Sequence, residues 1–444
     1  MPAAWRISMQ NPKHRKLGAA RLSASYHALL SVLSACHGQS EDRPELGTCP
    51  GRKHDMDLKI SQEDETFRGE LREWLSSSVE SYGSSPDRKD YQARRDYDTG
   101  WQRKLFEAGY AGITWPAEFG GRGLSLNQQL IYYEETTRAK APYVGTNFVG
   151  LLHGGPTVMV EGSPEQKERH LGPILRGEQV WCQGFSEPNS GSDLASLSCR
   201  AERDGDHYVV NGSKIWTSFA QVADYCELLV RTDVEAPKHR GISWLIMPMD
   251  LPGIDIRPLP TLLGESEFSE MFLDNVRIPV ANRVGDENDG WRVTNVTLRF
   301  ERGTAFSGEI YELKVWIEEI AKAAEAAGTL DGPMRRRIGR MRAEVDGLGY
   351  LLRYTIAQAG ETGVPGVGAS AIKLFMSELK QSMGDLSMQA IGRAALSRQD
   401  VGGLPADEFT FETFQSLSMT IAAGSSQIQR NIVGERILGL PKDR

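Results

Sequence analysis

Two segments organise the middle of this chain. One is Gln183-Gly-Phe-Ser-Glu-Pro-Asn-Ser-Gly-Ser-Asp193. The other, Lys214-Ile-Trp-Thr-Ser218, follows the strand-like run His207-Tyr-Val-Val-Asn-Gly212. The first is dense in hydroxyls, turn residues and backbone donors. The second ends in an indole beside two hydroxyls. Together they suit a flat aromatic cofactor with polar edges. Trp216 can stack on a ring face. Ser186, Thr217 and Ser218 can hydrogen-bond acceptors along its edge.

Outward from this pair the hydrophobic period changes. Before it, from Ser61 to about Glu178, apolar residues recur at helical spacing: Phe67, Leu71 and Trp74-Leu75, then Trp101, Leu105, Phe106 and Tyr110. A glycine-rich loop, Gly112-Ile-Thr-Trp-Pro-Ala-Glu-Phe-Gly-Gly-Arg-Gly123, interrupts them. Helical stretches resume around 128–137 and 163–171. Residues 198–212, 225–232, 240–249 and 269–279 read as short strands, separated by turns such as Arg203-Asp-Gly-Asp206 and Leu251-Pro-Gly253. After Gly290 the helical period returns through 291–327, 331–361, 367–396 and 407–437. The order is therefore α, then β, then α, without strand–helix alternation, and a Rossmann sheet is not expected. Gly366-Val-Gly-Ala-Ser-Ala371 matches a loose dinucleotide-binding pattern. It follows the loop Ala359-Gly-Glu-Thr-Gly-Val-Pro365 and not a buried strand, so it reads as an interhelical turn.

The domains expected are a helical one over 56–180, a small β-domain over 181–292 and a helical bundle over 293–444. Residues 1–55 are basic and Ser/Ala-rich. A run from Ala28 to Cys36 has some likeness to a lipoprotein signal, and a transit peptide is another reading. The favoured expectation is a disordered extension or a mis-called start, because Ser61 with Glu63 to Glu65 opens a capped helix.

The chain has 444 residues, 40% hydrophobic and 25% charged, the balance of a globular enzyme. Its net charge of -8 disfavours general nucleic-acid binding. Five cysteines show no CxxC and no metal-like spacing. An odd count without a disulfide framework fits a reducing, cytoplasmic compartment. No apolar run is long enough to span a bilayer, so no membrane contact is expected.

From about Met56 onward the chain resembles the acyl-CoA dehydrogenase family. Four stretches carry the resemblance: Trp115-Pro-Ala-Glu-Phe-Gly-Gly-Arg-Gly123, Gly184 to Leu194, Lys214 to Ser218, and Ala422-Ala-Gly-Ser-Ser-Gln-Ile-Gln-Arg-Asn-Ile-Val433 with Gly434-Glu-Arg-Ile-Leu-Gly439. The resemblance implies an α-domain, a β-domain and a four-helix bundle. It implies FAD-dependent α,β-desaturation of an acyl-CoA thioester, with electrons passing to an electron-transfer flavoprotein or similar carrier. By this resemblance Gln183, Phe185 and Ser186 run along the flavin. Trp216 and Ser218 pack on it and bond near its N5, with Thr217 between them as a further cofactor contact. Gln389, Gly392, Ser425 and Gln427 make further FAD contacts, and Ser192 lies against the acyl-CoA. No metal is implied.

Abstraction of an α-proton needs a carboxylate base, fixed donors on the thioester carbonyl and an apolar slot. Many family members carry the base just before the Gly of the C-terminal motif, where this chain has Ala423. Isovaleryl- and long-chain-type members place a Glu-Arg pair on the helix that opens the C-terminal domain. Here that pair is Glu301-Arg302. Val293, Val296, Thr297, Phe300 and Thr304 form a helical stripe, and Glu301 falls on it. Glu301 is therefore the expected base, and Arg302 a residue positioning the substrate.

The chain departs from the family's homotetrameric members twice. It lacks their Arg-x-x-Phe-Gly segment, and Gln-x-x-Gly-Gly reads Gln389-Ala-Ile-Gly392-Arg393. Similar gaps occur in heteromeric bacterial relatives, some acting on steroid side-chain thioesters. The assembly expected is a homodimer, a homotetramer or a heterotetramer with a related subunit. The rival readings are a partner subunit without turnover of its own and a flavin oxidase or monooxygenase on the same fold.

Overall fold

The structure is a computed structural model and describes residues 60–301, 307–362, 368–397 and 399–442. It opens with α1 (Gln62–Tyr82). The hydroxyl of Ser61 accepts the Asp64 N–H, and the Asp64 carboxylate accepts the Ser61 N–H, which closes a capping box. Phe67, Leu71 and Leu75 then recur at four-residue spacing and are all buried. Next come α2 (Tyr91–Glu107), α3 (Leu126–Arg138), α4 (Gly155–Glu161) and α5 (Pro164–Leu175). Ser125 and Ser163 close the same box with Gln128 and Gln166 at the starts of α3 and α5.

The glycine-rich loop between α2 and α3 exists to bury Trp115. The indole is almost wholly enclosed and donates to the Leu151 carbonyl at 2.9 Å. At Gly121 any Cβ would lie 2.2 Å from the Trp115 carbonyl oxygen, so only glycine lets the loop close over the ring.

The middle of the chain forms one sheet. Its strands are β1 (Trp181–Gly184), β2 (Arg200–Asp204), β3 (His207–Ser218), β4 (Tyr225–Arg231), β5 (Ile242–Pro248), β6 (Ile254–Leu259), β7 (Phe268–Pro279) and β8 (Arg283–Val284). The spatial order is β6-β7-β3-β2-β4-β5-β8, with β1 added beside β4. Pairing is antiparallel except for β1 with β4 and a single β2–β4 pair. Cys226 to Val230 on β4 are buried without alternation, as a strand covered on both faces requires. The expected strand over 198–212 is in fact a hairpin turning at Asp204–His207, and β3 runs on to Ser218. β1 and β6 were not anticipated as separate strands. β1 has only four residues, and the β6 run Ile254-Asp-Ile-Arg-Pro-Leu259 buries no residue fully.

Beyond the sheet lie α6 (Gly290–Glu301), α7 (Ser307–Ala326), α8 (Gly332–Thr362), α9 (Gly368–Ile391), α10 (Ala394–Ser397), α11 (Ala406–Met419) and α12 (Ser426–Ile432). α7, α8, α9 and α11 pack into a bundle around Ile320, Leu348, Met376, Met383 and Leu386. Among the described residues the element before α9 is the helix α8; residues 363–367, with Gly366 of the dinucleotide-like pattern, lie outside them. The helix expected over 407–437 is broken. Ala423 and Gly424 both have positive φ, of 52° and 87°. Lys373 Nζ donates to the Met419 and Gly424 carbonyls at 2.8 Å each, and Gln429 Nε2 to that of Ala423 at 3.0 Å. Apolar periodicity continues across the break in the sequence and hides it.

α1 and α3 are joined by charge. Glu135 is buried and takes Arg68 at 2.8 Å and Arg72 at 2.8 and 2.9 Å. Burial pushes its carboxyl up, but the two guanidinium groups outweigh that and hold it below the usual range. A depressed carboxylate contributes stability that is complete above its unfolded pKa, about 4.3. That stability is lost as pH falls through the lower folded value. Glu135→Gln is expected to cost about 3 kcal/mol, as for breaking a buried ion pair. Denaturant titrations of both proteins from pH 7 to pH 3 check this: the difference should shrink toward the acid end.

Candidate active site

The two segments from the middle of the chain are fastened by one buried ion pair. Lys214 Nζ lies 2.8 Å from Glu187 Oε1 and donates to the Phe185 carbonyl at 3.2 Å. The lysine has no exposed surface and the glutamate almost none. Glu187 also accepts the Ser198 N–H at 2.7 Å, the Ser198 hydroxyl at 2.9 Å and the Cys199 N–H at 2.9 Å. Burial pushes the Glu187 carboxyl up, while the Lys214 charge and these donors outweigh it and keep it below the usual range. The Ile215 N–H adds a bond to the Ser186 carbonyl at 2.9 Å. The loop from Gly184 to Cys199 is thereby held against β3.

Just beyond Lys214 the strand is irregular. Pairing with β7 jumps from Lys214–Met271 to Thr217–Ser269, so Ile215 and Trp216 oppose the single residue Glu270. This is a β-bulge. Trp216 sits in the left-handed region with φ of 62°, and the residue is 57% exposed. A bulky residue at positive φ is a strained backbone, of the kind that clusters at ligand sites. The bulge turns the indole out of the sheet, where it lies edge-to-face with Phe268 at 5.9 Å between ring centres. Beside it the Thr217 hydroxyl is fully enclosed and takes no hydrogen bond among the described residues. Ser186 and Ser218 are half-buried. An open aromatic face, an orphaned buried hydroxyl and two partly open serines fit a flat ring with polar edges.

Gln183 lies on β1 opposite Glu227 of β4. Its Nε2 donates to Glu227 Oε1 at 2.8 Å and lies 3.3 Å from His153 Nδ1. His153 comes from a π-helical turn, Gly150–Gly154, a feature frequent at functional sites. The Phe185 side chain is buried in the core, so its backbone is what remains for a cofactor. Ser192 is exposed on the loop.

The remaining expected residues sit on the helical side. α6 buries Val293, Thr294 and Thr297, and Thr297 Oγ1 meets Thr157 Oγ1 of α4 at 2.8 Å. Position 301 lies four and seven residues beyond Thr297 and Thr294, on their helical row. Phe300, expected on the inward face, is instead 41% exposed, because the buried face is centred on 293, 294 and 297. Arg302 and Thr304 lie outside the described residues. Gln389 and Gly392 are exposed at the end of α9, where Arg337 donates to Gln389 Oε1. Ser425 caps α12 by accepting the Ile428 N–H at 3.3 Å, and Gln427 is exposed.

Glu187, Lys214, Glu227 and His153 were not picked out from the sequence as site residues. Glu187 and Lys214 stand inside the quoted motifs, but charged residues there read as solvated loop. Nothing in a linear sequence shows that two such side chains are buried against each other. Among the described residues no group of His, Cys, Asp and Glu is arranged to hold a metal ion, and no helix is long and apolar enough to cross a membrane.

This is the fold of a flavin-dependent oxidoreductase. Three family models match in order along the chain. They are the acyl-CoA dehydrogenase N-terminal domain over residues 61–178, the middle domain over 182–276 and the C-terminal domain over 288–438. Acyl-CoA dehydrogenase IpdE1 of Mycobacterium tuberculosis is 36% identical over 396 residues, covering 86% of this chain and 99% of the relative. Acyl-CoA dehydrogenase FadE26 of the same organism is 35% identical, covering 87% and 99%. Among solved structures, the Tcur3481–Tcur3483 steroid ACAD matches with a TM-score of 0.75 at 31% identity over 87% of this chain and all of that one. The ChsE4–ChsE5 complex from M. tuberculosis matches at 0.72 and 33%, over the same shares. The chain belongs to the acyl-CoA dehydrogenase family, an oxidoreductase family whose cofactor is FAD.

Replacing Glu187 alone by Gln leaves Lys214 charged in the interior. The expected loss is about 3–5 kcal/mol. The double variant Glu187→Gln with Lys214→Met should recover much of it, which a double-mutant cycle by chemical denaturation will show.

Proposed function

We propose that this chain desaturates an acyl-CoA thioester between its α and β carbons, with Glu301 as the base. The observation that carries the reading is the bulged Trp216 strand, clamped to the Phe185–Glu187 loop through Lys214. When bound, FAD supplies the two-electron acceptor for the β-hydrogen. Trp216 would hold its ring by stacking, and Ser186, Thr217 and Ser218 would hydrogen-bond its polar edge. Gln183, steadied by Glu227 and His153, orients beside them. Ser192 holds the thioester arm. Glu301 removes the α-proton, with Arg302 positioning the acyl group. Support for Glu301 comes from its place on the row of buried α6 positions and from Ala423 at the family's other base position.

In this reading the chain is the base-supplying subunit of a heteromeric enzyme. It lacks Arg-x-x-Phe-Gly and carries Arg393 in place of a glycine, so a related subunit completes the FAD contacts around Gln389, Gly392, Ser425 and Gln427. Two similar solved structures are two-component assemblies, one described as a steroid ACAD. Leu396, Leu417, Ile421, Leu438 and Leu440 are exposed apolar residues of the helical region, as a subunit surface requires. A bulky polycyclic acyl group is the substrate class favoured. Electrons leave to an electron-transfer flavoprotein or similar carrier in the cytoplasm. The proposed domain limits are the helical domain over 56–180, the β-domain over 181–292 and the helical bundle over 293–444.

Glu301→Gln is expected to retain FAD and lose turnover by about 10²–10⁴-fold, the span of a general base. Near-normal anaerobic bleaching of the flavin by acyl-CoA in that variant would reject Glu301. Peroxide released in step with turnover would indicate an oxidase instead. A colourless chain that gains flavin only with a second subunit would support the heteromeric reading.

A further inference from the structure

Gln183 stands on β1 two residues before Phe185, whose carbonyl takes the Lys214 ammonium group. Its neighbours Cys182 and Gly184 face the cluster that contains Cys226 and Leu228. Gln183 therefore points to the opposite face of the sheet. Glu227, in register with it on β4, points the same way. There Gln183 Nε2 lies 2.8 Å from Glu227 Oε1 and 3.3 Å from His153 Nδ1. His153 Nδ1 is 3.7 Å from the same carboxylate oxygen.

An amide nitrogen carries two hydrogens and accepts none. One goes to Glu227, and the other faces His153 Nδ1, which then acts as the acceptor. The carbonyl end of the side chain differs. Gln183 Oε1 accepts no hydrogen bond among the described residues, and the residue is only partly buried. Both donors are spent on the protein, and what Gln183 offers a ligand is an acceptor.

The clamp is costly and firmly built. Glu227 has no exposed surface, on a strand where Cys226, Leu228, Leu229 and Val230 are all apolar and buried. A leucine at 227 would avoid the desolvation of a charge. His153 is fixed in its turn. A Cβ at Gly154 would lie 2.7 Å from the Trp181 ring, and the His153 carbonyl accepts the Thr157 hydroxyl at 2.8 Å. The cluster also reaches the end of the Trp216 strand. The Phe148 ring lies 5.5 Å from that of His153 and 6.4 Å from that of Phe219, the residue after Ser218.

We propose that Glu227 is a positioning residue for the cofactor: by holding the Gln183 amide nitrogen, it turns the amide oxygen to the flavin ring to accept the ring N–H. Oxidised isoalloxazine carries a single N–H, at N3 between two carbonyls, so a fixed acceptor recognises that edge. Without Glu227 the amide can turn over and present its nitrogen instead. This rests on the Trp216 strand being the flavin site proposed above.

The test uses the full chain, with any subunit that accompanies it, stripped of flavin. Calorimetry reads its affinity for FAD and for 3-deaza-FAD, whose ring has C–H in place of N3–H. Wild type is expected to bind FAD about tenfold more tightly than the analogue, the worth of one hydrogen bond. Gln183→Met keeps the shape, removes the acceptor and should abolish that preference. Glu227→Leu should lose most of it although Gln183 is present. Glu227→Gln lets the two amides pair either way round and should lose part of it; it serves where Glu227→Leu does not fold. Adding Glu227→Leu to Gln183→Met should change the preference no further, because Glu227 acts through the amide. Equal affinity of wild type for the two flavins, or a preference that survives in Gln183→Met, overturns the inference. A preference kept in full by both Glu227 variants overturns the positioning role. If Trp216→Ala binds FAD as tightly as wild type, the placement of the ring on this strand falls, and this inference with it.

Discussion

The candidate site depends on two opposite charges taken out of water together. Lys214 and Glu187 come from segments almost thirty residues apart, and each would be severely destabilising if buried alone. Their pairing at 2.8 Å, with four further hydrogen bonds to neighbouring backbone and hydroxyl groups, leaves neither charge uncompensated. The pair also fixes geometry. It ties the hydroxyl-rich loop to β3 immediately before the bulge, so the strained Trp216 backbone is held by a rigid neighbour. Strain of this kind persists only where the surroundings over-determine it.

Around that clamp, each layer contributes what the others lack. The sheet supplies a rigid support, with β4 buried from Cys226 to Val230 and β1 laid beside it to place Gln183 opposite Glu227. The helices before the sheet supply the π-helical turn with His153. The helices after it supply α6, packed through Thr297 on Thr157. The Ala423–Gly424 turn shows the same sharing, since Lys373 from α9 and Gln429 from α12 satisfy its carbonyls.

Much of this was legible in the sequence. Helical periodicity on either side of a strand-rich middle gave the three-part order, because burying one face of a helix imposes its period on the residues. Ser61, Ser125 and Ser163 mark helix starts by local chemistry alone, each needing only a partner three residues on. The glycines around Trp115 are required wherever a loop must close over an indole. The Trp216 and Ser186 segments announced an aromatic, polar-edged ligand by residue type. The break at Ala423 and the outward turn of Phe300 were not legible, because period alone does not say where a helix stops or how its buried face is centred.

What the sequence by itself determined is therefore the set of elements and the chemical character of the cofactor segments. Both arise from short-range rules of spacing, capping and side-chain type. Only the tertiary structure decided that Lys214 is buried against Glu187 and that Gln183 meets Glu227 and His153. Burial of a charge is a property of everything packed around it. Those neighbours come from residues far apart in the chain, and no local pattern encodes which of them will meet.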